Sequence, residues 1–142
     1  MTTDTGRAGW TMVAILAGRL IFAAVFIMAA SFKFMDINAT AGDIASAGFP
    51  VPKLLAWLAA FFELALIAGF LTGAYFSETA LLAAAYVLFL GFAFHGPSHW
   101  TGNQAEFGFF VDHFTFIAGL LFAAAYGPGQ ILAMNRGWIA RQ

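Results

Sequence analysis

Residues 52–71 read PKLLAWLAAFFELALIAGFL, and after the opening Pro-Lys pair the only charged side chain in this run is that of Glu63. A helix needs about 20 mostly apolar residues to cross the hydrocarbon core of a bilayer. Proline fixes φ and suits the first turn of a helix, so the helix is predicted to begin near Pro52. The run therefore predicts a transmembrane helix that carries one carboxylate inside the membrane.

Three similar runs lie on either side of this one, and together the four use nearly the whole chain. The connections between them are short and leave no room for a separate soluble domain. The chain, residues 1–142, is therefore predicted to be a single transmembrane domain. The predicted spans are residues 10–34, 52–71, 79–94 and 106–126.

The composition leads to the same class of protein. Of the 142 residues, 62% are hydrophobic and 9% are charged, whereas an ordinary soluble domain has about 25% charged residues. The predicted fold class is all-α, an integral membrane four-helix bundle in contact with the lipid bilayer. A net charge of −1 gives no reason to expect a nucleic-acid partner, and the absence of cysteine excludes disulfides and thiolate metal ligands.

The distribution of positive charge predicts an orientation. Four crossings place both termini on one side of the membrane. Arg7, Arg136 and Arg141 lie on that side, while Lys33 and Lys53 flank the first connection on the other. Lys and Arg are enriched on the cytoplasmic side of membrane proteins. The termini are therefore predicted to be cytoplasmic.

Two groups of ionisable side chains stand out, because a charge at bilayer depth is costly and is usually paired or functional. Arg19 and Glu63 each lie about 15 Å from the start of their helices, counted from opposite faces of the membrane. These depths predict an ion pair near the midplane. Two interpretations of the pair stay open: a structural pair that fixes helix register, or a charged lining for a polar ligand, a quinone head group or a proton path.

The second group lies toward the face opposite the termini. Lys33 ends the first span, His95 ends the third, and Asp112 and His113 lie near the start of the fourth, beside His99 in the preceding loop. Three interpretations stay open: interfacial residues without chemistry, a quinone or proton site, and a metal site with His95, His99 and His113 as candidate ligands. Adjacent residues on a helix point in different directions, so at most one of Asp112 and His113 is expected to join a given site.

The end of the second span and the start of the third carry two local signals. Small residues recur every fourth position at Ala65, Gly69 and Gly73, and such a stripe lets helices approach closely. The stripe is interpreted as a contact within the bundle, with a dimer face as the alternative. Ser77 is predicted to be the N-cap of the third helix, with Glu78 in its first turn.

Several motifs follow one another in a characteristic order over residues 18–129. They are Arg19, Phe32-Lys33-Phe34, Ala47-Gly48-Phe49-Pro50, Glu63 with Gly69 and Gly73, His95, and Gly127-Pro128-Gly129. This order resembles that of the DoxX family of small four-helix bacterial membrane proteins. In one departure, Gln130-Ile131-Leu132-Ala133 stands where family members often carry a Ser-Leu-Asp-like end, so no role is carried over for that acid.

The resemblance implies a protein of the bacterial inner (plasma) membrane. Relatives include the membrane subunit of a thiosulfate:quinone oxidoreductase, and others associate with redox-stress enzymes. It therefore implies a redox-linked accessory subunit that interacts with quinone or anchors a partner enzyme, with Arg19, Lys33, Glu63 and His95 as candidate site residues.

The sequence itself limits this redox role. It contains no haem, flavin or nucleotide motif, so the chain is not expected to be a complete enzyme on its own, and quinone is the only cofactor considered. Two alternatives stay open. One is a structural or assembly subunit of a larger membrane complex, and the other is a small transporter.

Overall fold

The computed structural model describes residues 3–134 and 136–139, and this part of the chain forms five α-helices and no strand. Four of the helices are long and apolar enough to cross a membrane. The chain is therefore a multi-pass membrane protein with an all-α fold, as its composition predicts. The helices are α1 (Thr3–Met35), α2 (Ile37–Ser46), α3 (Pro52–Thr72), α4 (Phe76–His95) and α5 (Gln104–Tyr126).

The four predicted spans correspond to α1, α3, α4 and α5, with some differences at the ends. α3 has Pro52 in its first turn, as predicted. The prediction that Ser77 caps α4 is wrong: Tyr75 is the N-cap, at φ 50°, and Ser77 lies inside the helix. The reason is the tight turn between the helices: Gly73 ends α3 at φ 70°, and the N-cap of α4 follows only two residues later, so α4 begins at Phe76, before Ser77. Glu78 lies in the first turn of α4, as predicted.

Helix α2 was not predicted from the sequence. It begins after Asp36, whose carboxylate accepts a hydrogen bond from the backbone N–H of Ala39 at 3.0 Å. This is the usual way in which an aspartate satisfies a free donor at a helix start. With ten residues, α2 is too short to cross a membrane. It packs against α1 and α3 at the end of the bundle where the chain passes from one to the other.

The bundle consists of two closely packed helix pairs, α1 with α3 and α4 with α5. A shared core of alanine, leucine and phenylalanine lies between them, and Phe70 and Leu120 in this core are completely buried. Small residues bring α3 and α4 together: a Cβ added to Gly69 would lie 2.2 Å from Oγ1 of Thr79. Gly69 therefore serves a contact within the chain, in agreement with the first interpretation of the small-residue stripe.

The outer surface of the bundle is strongly apolar. Ile21, Leu58, Leu82 and Phe122 are each at least half exposed, on four different long helices. A soluble protein rarely leaves such large apolar areas in contact with water. In a bilayer the same surface is solvated by acyl chains, so the exterior is consistent with the four membrane-crossing helices.

Candidate functional site

Arg19 is 2% exposed and occupies a site built entirely from main-chain carbonyl groups. It joins α1 to the last turn of α3 and to the segment that follows α5. The last carbonyls of a helix have no intrahelical partner and carry the negative end of the helix dipole, so they attract a cation. The five bonds use all the N–H donors of the guanidinium. They run from Nε to Phe70 O (3.1 Å), from Nη1 to Pro128 O (3.2 Å) and Ile131 O (2.8 Å), and from Nη2 to Leu71 O (2.9 Å) and Leu132 O (2.9 Å).

The predicted ion pair between Arg19 and Glu63 is therefore wrong, and the two residues do not lie at the same level of the bundle. α1 begins at Thr3 and runs well past the end of α3, so Arg19 lies level with Leu71 at that end. Glu63 precedes Leu71 by eight residues, or roughly 12 Å along the helix axis. The sequence predicted equal depths for Arg19 and Glu63, but the two residues lie at different levels of the bundle.

Glu63 pairs instead with Lys33, a residue that the sequence assigned to the other group. It is 1% exposed, and its Oε1 lies 2.9 Å from Nζ of Lys33. The same Oε1 accepts a hydrogen bond from the Tyr86 hydroxyl at 2.9 Å. Side chains tilt toward the N-terminus of their own helix. Because α1 and α3 are antiparallel, Lys33 and Glu63 tilt toward each other, which lets a lysine near the end of α1 reach a buried carboxylate.

One oxygen of this network has no partner. Glu63 Oε2 is buried and makes no hydrogen bond within the described residues. A buried acceptor without a partner is destabilising, and a buried ion pair is often no more stabilising than an apolar replacement. The Lys33–Glu63–Tyr86 network is thus poorly explained by stability alone, which makes it a candidate site.

A cavity of about 1220 Å³ lies beside this network, and Lys33 and Tyr86 form part of its wall. Helix α2 and the segment after it close one side, where the Phe49 ring packs against Phe89 on α4 at a centroid distance of 5.6 Å. Most of the wall is apolar. Further aromatic side chains that line the cavity are those of Phe32, Phe62 and Phe94.

All three histidines of the chain also line this cavity. His95 Nδ1 lies 2.6 Å from Oε2 of Glu106, and its ring packs 5.2 Å from that of His113. His113 Nδ1 is 2.7 Å from the carbonyl oxygen of Phe109. His99 is exposed. The three histidines therefore line the same mostly apolar cavity as Lys33 and Tyr86.

Among the residues that the structure describes, no group of three or more histidine, aspartate or glutamate side chains has an arrangement that could hold a metal ion. Asp112 is exposed and does not line the cavity, whereas its neighbour His113 does. Of the predicted site residues, the structure brings Lys33, Glu63, His95 and His113 to the region of this cavity. It places Arg19 and Asp112 elsewhere.

Tyr86 was missed by sequence reasoning. A signal for it was present: between residues 80 and 94 the chain has no charged residue and no hydroxyl group other than that of Tyr86. A tyrosine hydroxyl buried in a helix bundle usually has a partner. The part of the wall formed by α2 had no comparable signal, because its position depends on how the chain turns between α1 and α3.

Comparison with known proteins adds one finding. A family model described as DoxX matches residues 14–96, which is more than half of the chain and covers Arg19, Lys33, Glu63, Tyr86 and His95. The match ends before α5, so Glu106 and His113 lie outside it. No curated protein and no solved structure matches the chain.

Proposed function

The chain belongs to the DoxX family, and from this membership and the cavity beside the Lys33–Glu63–Tyr86 network we propose that it is a quinone-binding accessory subunit of a membrane redox system. The observation that carries the proposal is a large, mostly apolar cavity whose wall includes Lys33 and Tyr86, the two polar partners of the buried Glu63 carboxylate. Ligand sites typically combine an apolar lining with a few polar groups that fix orientation. A quinone has the matching shape, an apolar tail on a ring with two carbonyl oxygens.

The polar wall suits both redox states of such a ring. The Lys33 ammonium has three donors, of which the Glu63 contact uses one. A quinone carbonyl would accept a hydrogen bond from Lys33, and a quinol hydroxyl would donate one to the Tyr86 oxygen. His95 and His113 are at the same cavity, and an imidazole ring can both donate and accept a proton. They would deliver or accept the two protons that accompany the transfer of two electrons between the bound ring and the partner redox enzyme.

The proposed setting is the inner membrane of a bacterium, with cytoplasmic termini. Arg7 and Arg136 lie together at the terminal end, where both line a second cavity. Lys33 is held in the interior by Glu63, so of the two lysines at the opposite end only Lys53 is exposed. This strengthens the excess of positive charge on the terminal side. Arg141, which the orientation argument also used, lies outside the described residues.

The test is binding of a decyl-substituted benzoquinone to the purified protein in nanodiscs, measured by calorimetry. Tyr86→Phe removes one oxygen atom from the wall. We expect it to weaken binding about fivefold, the effect of losing one neutral hydrogen bond of about 1 kcal/mol. Tyr126→Phe is the matched control, because Tyr126 is at the opposite end of the bundle and does not line this cavity. Absence of binding by the wild-type protein would refute the proposal.

The accessory role is tested separately, by purification of the tagged protein from native membranes in mild detergent and mass spectrometry of the proteins that accompany it. A stoichiometric redox enzyme is the expected result. If Tyr86→Phe lowers quinone-linked turnover at unchanged protein abundance, the cavity serves the reaction. If it lowers abundance alone, the chain is an assembly subunit without a part in the chemistry.

A further inference from the structure

A second cavity, of about 770 Å³, lies at the opposite end of the bundle from the network of Lys33. Its wall is formed by the start of α1, the start of α4, and the end of α5 with the segment that follows it. The fold brings together these three parts, which are far apart in the sequence. Arg7 and Arg136 line it, and so do Ser77 and Glu78 from the first turn of α4. No part of this cavity is shared with the proposed quinone site.

Within the described residues, two polar atoms in this wall are buried without a hydrogen-bond partner. Ser77 is 2% exposed, and its Oγ makes no hydrogen bond. Glu78 is bonded through one oxygen only: Oε1 accepts the backbone N–H groups of Trp138 and Ile139, while Oε2 is buried and unpartnered. Buried polar groups nearly always have partners in native proteins. Two such atoms on adjacent residues of one cavity indicate a ligand that supplies an acceptor for Ser77 and a donor for Glu78.

The charges around these atoms define the chemistry of that ligand. Two guanidinium groups and the N-terminal turn of α4 favour a phosphate, since arginine and helix N-termini are the usual partners of this group. Glu78 Oε2 is a free carboxylate oxygen in the same wall and suits an ammonium group. Met12 and Ile15 supply an apolar surface beside the polar one.

We propose that this cavity binds the head group of an aminophospholipid. The phosphate is held by Arg7, Arg136 and the Ser77 hydroxyl, and the primary ammonium by Glu78. The acyl chains follow the apolar surface of α1, where Trp10 and Val13 are 71% and 58% exposed. A lipid is preferred to a soluble phosphate compound because the cavity lies at the ends of membrane-crossing helices.

The experiment is native mass spectrometry of the delipidated protein titrated with phosphatidylethanolamine, phosphatidylglycerol or phosphatidylcholine. Phosphatidylethanolamine is expected to occupy one site at least fivefold more tightly than the other two. Phosphatidylglycerol lacks the ammonium, and phosphatidylcholine has a methylated one that cannot donate a hydrogen bond. Equal binding of the three lipids would overturn the proposal.

Variants locate the site. Arg136→Gln and Ser77→Ala are each expected to reduce the affinity for phosphatidylethanolamine at least fivefold, and Glu78→Gln to abolish its preference over phosphatidylglycerol. The controls are Lys53→Gln, an exposed cation at the other end, and Ser31→Ala, an exposed hydroxyl. Wild-type affinity in Arg136→Gln and Ser77→Ala would overturn the assignment.

A competition arm separates a lipid from a soluble phosphate compound. Inorganic phosphate and glycerophosphoethanolamine are added to the lipid-loaded protein. We expect neither to displace the lipid at equal concentration, since neither has acyl chains to contact α1. Displacement by either compound would show a site for soluble phosphates and contradict the lipid assignment. Because the cavity is separate from the quinone site, failure here would leave the proposed function untouched.

Discussion

Arg19 and Glu63, the two buried charged residues in the described part of the chain, differ in how completely they are bonded. Arg19 uses every donor on main-chain carbonyls of α3 and the segment after α5. Glu63 uses one oxygen for Lys33 and Tyr86, which both line the larger cavity, and its other oxygen has no partner within the described residues. The first arrangement has no donor left for a ligand, whereas in the second the Lys33 ammonium lines the cavity and uses only one of its three donors on Glu63. Burial of a charge within a membrane therefore does not by itself indicate function, and the bonding of its individual atoms is more informative.

The largest effect is expected where the bonding is complete. Arg19→Met leaves five carbonyl groups without their donor, and we expect a loss of stability on the order of 5 kcal/mol. Arg19→Lys should recover little of it, because an ammonium cannot reproduce the planar set of donors. The measurement is thermal unfolding in detergent, with Lys53→Met as the control. Wild-type stability of Arg19→Met would show that the carbonyl site is not what joins these segments.

A smaller loss is expected for Lys33→Met, about 3 kcal/mol, because it leaves the Glu63 carboxylate buried without its cation. In the double variant Lys33→Met with Glu63→Gln, the charge is gone and Gln still accepts the Tyr86 hydrogen bond. We expect unfolding measurements to show most of the stability restored, while quinone binding stays weak. If the double variant is as unstable as the single one, the Lys33–Glu63 pair is needed to hold the fold together, as the bonds of Arg19 are.

Gly69→Ala tests whether the end of α3 that supplies carbonyls to Arg19 is held tightly against α4. The added methyl group would collide with Thr79, and we expect a loss of about 2 kcal/mol. Gly18→Ala is the matched control on α1. Nothing lies within 4 Å of its added Cβ, so alanine should be neutral or stabilise by about 0.5–1 kcal/mol. Equal effects of the two changes would contradict a close contact between α3 and α4 at Gly69 and Thr79.

The smallest effect is expected for Glu106→Gln, which removes the charge that faces His95. Both side chains of this pair are about one quarter exposed, and such pairs contribute about 1 kcal/mol or less. Unfolding should change little, while the rate at which the co-purified redox enzyme reduces the bound quinone to quinol, followed by stopped-flow absorbance, should fall. A large loss of stability would show that the His95–Glu106 pair holds the fold together, as the bonds of Arg19 do.

The sequence predicted the helices well, because their apolar runs are long and their ends are marked by residues such as Pro52 and the glycine at Gly127, at φ 92° the C-cap of α5. It also predicted that Lys33, Glu63, His95 and His113 are candidate site residues, although their chemistry stays a prediction. It failed on partners. Equal depth suggested that Arg19 pairs with Glu63, but depth counted from helix starts ignores that α1 extends past α3.

The sequence by itself thus determined that the protein lies in a lipid bilayer, which segments cross it, and which family the chain belongs to. These follow from the composition of local segments, since a run of about 20 apolar residues is stable as a helix in lipid whatever surrounds it. Only the tertiary structure decided which charges meet, where α2 lies and that the segment after α5 returns to Arg19. These depend on the register between helices, which is set by close contacts such as that of Gly69 with Thr79.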